Sequence, residues 1–204
     1  MPRSAAGPAP KRPPRSPPKL DDVPLVHQFD WPDRVVVGTV GSPGSRTFYL
    51  QVRDGARSAS VGLEKEQSAV LAEKIDEILD ALMADEGNPF SVPAATPVEL
   101  VDNDPLDQPV EEQFRAGLMR LGWDPSTAQV VVEAFPLDET QDGDDETADP
   151  PEPSEMLLVR MPVGTARAFV QRTRQVVRSG RPLCPLCGQP MSDDRHVCGA
   201  TTDL

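Results

Sequence analysis

Strand-like runs punctuated by turn residues lead into one amphipathic helix, and then the same order returns. Val26 to Trp31 alternates weakly and reads as a strand, and Pro32-Asp33 turns the chain. Arg34 to Val40, Thr47 to Val52 and Ser58 to Leu63 read as three more, with Asp54-Gly55 as a hairpin signal between the last two. Leu71, Ile75, Ile78, Leu79 and Leu82 then fall on one face at the helical period, predicting a helix over Glu66 to Ala84 that ends before Gly87 and Pro89. A set of strands followed by a helix favours antiparallel pairing and an α+β class.

The second half follows the same plan. Phe114 to Trp123 reads as a strand or a short helix, ended by Asp124-Pro125, and Gln129 to Phe135 is a clear strand. Glu155 to Met161 is another, and Pro162 suits the first turn of a helix whose less polar stripe is Ala166, Phe169, Val170, Thr173, Val176 and Val177. Leu71, Ile75, Ile78 and Leu79 map onto Phe169, Thr173, Val176 and Val177 at one offset, and residues 57–63 map onto 155–161 at the same offset. That points to a duplicated strands-then-helix unit. Coincidence stays open, because any two amphipathic helices align on their apolar faces. The expected organisation is a basic head (1–22), a first unit (23–86), a linker (87–108), a second unit (109–180) carrying an acidic loop (136–154), and a tail (181–204).

Charge is laid out in blocks. Residues 1–20 carry only positive charge (Arg3, Lys11, Arg12, Arg15, Lys19), Asp138 to Glu155 only negative, and Arg160 to Arg181 six arginines with no acid. The net charge of −13 argues against a uniformly nucleic-acid-binding surface, but the blocks leave a local one open. The plainer reading is that the acidic loop and the arginine-rich helix partly neutralise each other. The proline-dense head has too little apolar surface to offset its ordering entropy, which predicts disorder. It also lacks the apolar core of a secretory signal, and no stretch approaches the roughly 20 apolar residues that cross a bilayer. A soluble, cytoplasmic protein with no membrane association is expected.

The chemistry concentrates in the tail. All three cysteines lie within fifteen residues, as Cys184-Pro185-Leu186-Cys187-Gly188 followed by His196-Val197-Cys198. Two thiolates at the ends of such a tight turn take half of a tetrahedron, and Gly188 supplies the backbone freedom the turn needs. His196 and Cys198, two apart on an extended segment, project to the same side and can complete the set. Four protein ligands close the coordination sphere, so Zn²⁺ with a structural role is the expected cofactor. A redox pair or inert thiols remain alternatives, although a redox C-x-x-C ordinarily opens a helix after a strand, whereas Pro182 and Gly188 bracket this one.

Other candidates are weaker. His27, the other histidine, reads as a surface or satisfied residue rather than a base. Asp142 to Glu146 lacks the ligand spacing of a calcium loop, and Gly38, Gly41 and Gly44 lack the lysine of a phosphate loop. Glu64-Lys65-Glu66 reads as a charged first helical turn rather than a cleft lining.

The segments DRVVVGTVG, RTFYLQVRDG, SVGLEKEQ and EEQFRAG, with the closing CPLCGQPM…HVC, resemble a family of roughly 200-residue proteins of high-GC Gram-positive bacteria that carry a domain of unknown function. The resemblance runs from about Val26 to Cys198, including the four-ligand spacing. It implies no assigned reaction. It implies repeat-like architecture, and gene neighbours encoding a phosphomutase-like phosphatase and a kinase-like protein. The head and the 138–155 loop are longer here than the pattern, and GATTDL stands after Cys198 where relatives are expected to carry Arg and Asn-Gly.

Three functions follow as expectations, in this order. The first is a non-enzymatic interaction or scaffold protein with a zinc-stabilised tail and a protein partner. The second is a nucleic-acid module that places Arg167, Arg174, Arg178 and Arg181 on phosphates. The third is an enzyme of a phosphate-related pathway with Arg34, Arg46 and Glu64 in one cleft.

Overall fold

A computed structural model describes residues 24–42, 45–137 and 155–179. The elements are β1 (Leu25–Asp30), β2 (Arg34–Val40), β3 (Thr47–Asp54), β4 (Arg57–Leu63), α1 (Lys65–Ala84), a 3-10 turn (Val98–Leu100), β5 (Glu112–Asp124), β6 (Gln129–Pro136), β7 (Glu155–Pro162) and α2 (Val163–Arg178). The chain is α+β, with seven strands in the order β1-β7-β6-β5-β4-β3-β2 and two amphipathic helices. The expected antiparallel pairing holds for β2·β3, β3·β4, β5·β6 and β6·β7, but β1·β7 and β4·β5 are parallel, so the sheet is mixed. The reason is connectivity. A helical crossover from β4 delivers β5 in the same direction as β4, and turn residues in the sequence report hairpins but not such distant pairs.

Residues 112–124, left open as strand or helix by their pattern, form the long strand β5. Its beginning pairs with β4 (Val61↔Phe114, Gly62↔Arg115) and its remainder with β6 (Leu121↔Val132, Trp123↔Val130). The register breaks between Ala116 and Met119. Gly117 sits at this handover, where a Cβ would stand 2.8 Å from Leu137 Cα, so no larger residue fits without moving backbone.

The bent β5 curls the sheet. α2 touches β2 at one end of the strand order and β6 and β7 near the other. The Arg57 guanidinium of β4 lies 4.9 Å from the Phe29 ring of β1 and donates to Gln28 O at 3.0 Å. One continuous core results, holding Leu50, Val61 and Ile75 from the first half with Val132, Val159 and Phe169 from the second. On α1, Leu71, Ile75 and Leu79 are buried as their spacing requires, and on α2 Ala166, Phe169, Val170 and Thr173 are. Each half contains three consecutive antiparallel strands followed by a helix, β2 to α1 and β5 to α2.

Residues 85–108, between α1 and β5, form a strap packed on the sheet. Val92 enters the core, and Leu106 lies so close to Gly38 that a Cβ there would meet it at 2.5 Å. Asn88 folds the strap's beginning by exchanging two hydrogen bonds with the Val92 backbone, both at 2.9 Å.

Among the described residues, the fully buried Thr173 Oγ1 has no hydrogen-bond partner. Thr173→Val keeps the shape and removes an unpaired hydroxyl, and helix propensities are nearly equal. It should raise stability by about 1 kcal/mol, read as a higher urea midpoint at unchanged slope. A lower midpoint would mean that the hydroxyl is satisfied.

Candidate functional site

Two concavities flank the helices, and they differ in chemistry. The first, about 270 Å³, lies where the strap crosses β2 and meets α2, and its walls include Arg34, Arg53, Asp102, Asp107 and Arg172. Arg34 and Arg172 are each only 8% exposed. Every donor-bearing nitrogen of Arg34 is engaged: Nε to Asp102 at 2.6 Å, Nη1 to Asp107 at 3.1 Å, and Nη2 to Asp102, Asp104 O and Pro105 O at 3.2, 3.0 and 3.0 Å. Arg172 reaches the strap from α2. Its Nη1 donates to both Asp102 O and Asp102 Oδ1, at 2.6 and 2.7 Å, its Nη2 to Asp104 O, and its Nε to Val37 O at 3.2 Å. Gln51 of β3 adds a reciprocal pair with the Asp107 backbone, at 2.8 and 3.1 Å.

This is a closed network. Burial pushes the Asp102 carboxyl up, but the Arg34 hydrogen bond, the Asp104 N–H and the charges of Arg172 and Arg34 outweigh it and hold the group below its ordinary range. The Asp102 bond raises Arg34 further, against its burial, whereas burial lowers Arg172. With every nitrogen engaged by carboxylates, strap carbonyls or Val37 O of β2, the two buried arginines clamp the strap to the sheet, and neither leaves a free forked edge for an incoming anion.

The second concavity is about 590 Å³ and apolar, running between α1 and β5. Val70, Leu71 and Ile78 line the helix side and Met119 and Leu121 the strand side, with Gln67 at one end. Val70 is 53% exposed, and neighbouring Leu118 is 52% exposed. The groove forms because β4 ends at Leu63 while β5 runs on to Asp124. Past Arg115, β5 has β6 on one side and no described strand on the other. Apolar surface left at an open strand edge is a feature that proteins ordinarily cover.

The four predicted metal ligands, Cys184, Cys187, His196 and Cys198, lie outside the described residues, as do the 138–154 loop and the head. Among the described residues no group of three or more His, Cys, Asp or Glu side chains is arranged to hold a metal ion. His27 Nε2 lies 2.6 Å from Glu155 Oε1 across the β1·β7 pair, a satisfied histidine.

The arginine block does not form one solvent face. Arg160 belongs to β7 and pairs with Asp30 at 2.8 Å. Arg167 is buried against Asp76 and Asp80 of α1, and Arg174 reaches Asp76 at 2.7 Å. Of the four residues expected to share a phosphate-binding stripe, Arg167 and Arg174 are turned to interhelical ion pairs, Arg178 is exposed at the end of α2, and Arg181 lies outside the described residues. The expected Arg34, Arg46 and Glu64 cleft is not formed. Arg34 starts β2, whereas Arg46 and Glu64 flank the Thr47 and Leu63 ends of β3 and β4, a strand length of roughly 20 Å away. Arg46 donates to Ser179 O at 2.6 Å at the end of α2, and Glu64 sits at the N-cap of α1, 3.1 Å from Arg115.

Asp102, Asp107, Met119 and Leu121 were not singled out by the sequence. The first two sit in a proline-rich acidic stretch that reads as linker, although Asp-x-Asp with Asp104 N donating to Asp102 Oδ1 at 2.9 Å is a recognisable turn. No described helix is long and apolar enough to cross a membrane. No curated protein and no solved structure matches the chain. A family model does match, over residues 27–198, and this chain therefore belongs to the family described as Protein of unknown function (DUF3090).

Proposed function

We propose that this protein is a non-enzymatic interaction module of the cytoplasm. Its α1–β5 groove receives a protein partner, and Cys184, Cys187, His196 and Cys198 fold its tail around a structural Zn²⁺. The observation that carries the reading is the contrast between the two concavities. The buried arginines of the charged one are paired with its own carboxylates, and the other is apolar with a polar rim, the make-up of a protein-contact surface. The zinc assignment rests on ligand type and spacing, with two sulfurs from the Cys184–Cys187 turn and a closed set of four. The repeated order of three strands and a helix supports a duplicated unit.

Two measurements test the parts separately. The purified chain should contain one zinc per molecule by elemental analysis, and Cys184→Ser should lower that occupancy at least tenfold under chelator challenge. A metal-free wild-type protein removes the zinc site. Sizing of the untagged protein in cell extract should place it in a complex larger than its own mass. A solitary monomer without a co-purifying partner removes the interaction reading.

A further inference from the structure

The backbone of β5 specifies what kind of partner fits the groove. From Ala116 to Asp124 this strand is paired with β6 alone, and among the described residues its other side faces α1 across the groove. Two carbonyls of β5, Ala116 O and Gly117 O, are directed at α1. Gln67 Nε2 of α1 donates to Ala116 O at 3.0 Å and also lies 3.3 Å from Gly117 O, so a side chain already takes the place of a strand donor at the groove's mouth. Two successive carbonyls can share one donor there because the register break spans Ala116 to Met119. Beyond Gly117 no side chain of the described residues takes up this role, while Met119 and Leu121 place apolar side chains at alternate positions beside Val70 and Ile78. The rim is acidic in balance. Glu66 and Glu77 border the groove with Lys74, and Lys74 is already paired with Glu77 at 2.8 Å.

We infer that the groove is a strand-addition site. An extended peptide of a partner protein, apolar at alternate positions and basic at its ends, pairs its backbone with the open side of β5 and buries its apolar side chains against Val70, Ile78, Met119 and Leu121. This rests on the interaction reading above and gives it a partner class. Backbone pairing supplies affinity and the alternate pockets supply selectivity. A partner helix would leave the β5 edge groups unpaired, which disfavours it.

The test uses the full-length protein and a dye-labelled peptide of alternating valine and threonine with two lysines at each end, followed by fluorescence anisotropy. Binding should weaken at least tenfold when one alternate set of peptide amides is N-methylated, and change little when the other set is. Val70→Lys, at an exposed helical position, should weaken it at least tenfold, as should Leu121→Arg, whereas Val40→Lys, on another strand, should not. Glutamates in place of the terminal lysines should weaken it severalfold. Equal tolerance of both N-methylated peptides, with binding retained, refutes strand addition while leaving the interaction reading standing. Absence of binding at millimolar peptide, or indifference to Val70→Lys, overturns the inference. So does a sedimenting dimer that Val70→Lys dissociates, since a second copy would then fill the groove. A solitary monomer in extract would instead bring down the reading beneath it.

Discussion

Asp102→Ala should destabilise the fold by about 3 kcal/mol, toward the lower end of what removing one partner from a buried ion pair costs, because the carboxylate retains some exposure. The variant leaves Arg34 and Arg172, both nearly out of water, facing each other across a strap that has lost its bidentate anion. The expected result is a lower urea midpoint at pH 7 with secondary structure retained at zero denaturant. Arg34→Met alone should cost less than Asp102→Ala, because Arg172 still holds the carboxylate at 2.7 Å. The double variant should recover part of the loss, with a coupling on the order of 1–3 kcal/mol. pH supplies an independent check. The Asp102 carboxyl is held below its ordinary value in the folded chain, so the unfolded chain takes up this proton first on acidification. Its contribution is therefore complete above the unfolded value of about 3.9 and is lost as pH falls through the folded one. The gap between wild type and Asp102→Ala should narrow in that direction. A gap that stays constant from pH 7 to pH 3, or a loss under about 0.5 kcal/mol, would show that the network is a solvated surface arrangement.

How far the sequence could be read depended on whether a signal was local. β2, β3, β4 and α1 follow from turn residues and side-chain periodicity within a few residues, and the structure places them at Arg34–Val40, Thr47–Asp54, Arg57–Leu63 and Lys65–Ala84. The parallel pairs β1·β7 and β4·β5 join residues far apart in sequence and leave no trace in any local pattern. The same limit explains the strap. Leu106 is an isolated apolar residue between acids and a proline, and only the absence of a side chain at Gly38, some seventy residues earlier, makes room for it. The acids that hold Arg167 and Arg172, Asp76 and Asp102, lie in other segments, so the arginine block carries no local sign of them. The groove was hidden for a further reason. It exists because β5 outruns β4, a difference in strand length that appears only once the two are known to be neighbours. The four-ligand motif of the tail is legible as spacing and lies outside the described residues.

Phe169→Ala should cost about 3–5 kcal/mol, the usual range for truncating a fully buried aromatic ring. Phe169 is 1% exposed and lies on α2, the helix that touches β2 as well as β6 and β7. Its ring belongs to the core cluster shared by both halves, and the strands that α2 touches are held by β-ladder bonds and by Arg172 on Val37 O, which limits the collapse available to close a cavity. Phe169→Leu keeps most of the apolar volume and should cost about 1 kcal/mol. One turn along the same stripe, Thr173→Val is expected to move stability the other way, so the pair distinguishes loss of packing from a general intolerance of α2 to substitution. The transition shape carries more information than its midpoint. The core is continuous across both halves, with Leu50 and Ile75 in the same cluster as Val132 and Phe169. Far-ultraviolet circular dichroism and tryptophan fluorescence, to which Trp123 contributes from its edge-on packing against Phe90 at 4.9 Å, should therefore report one coincident transition in wild type and in Phe169→Ala. If the fluorescence transition separates from the loss of helix and strand in the variant, the two halves unfold independently and the single shared core is wrong.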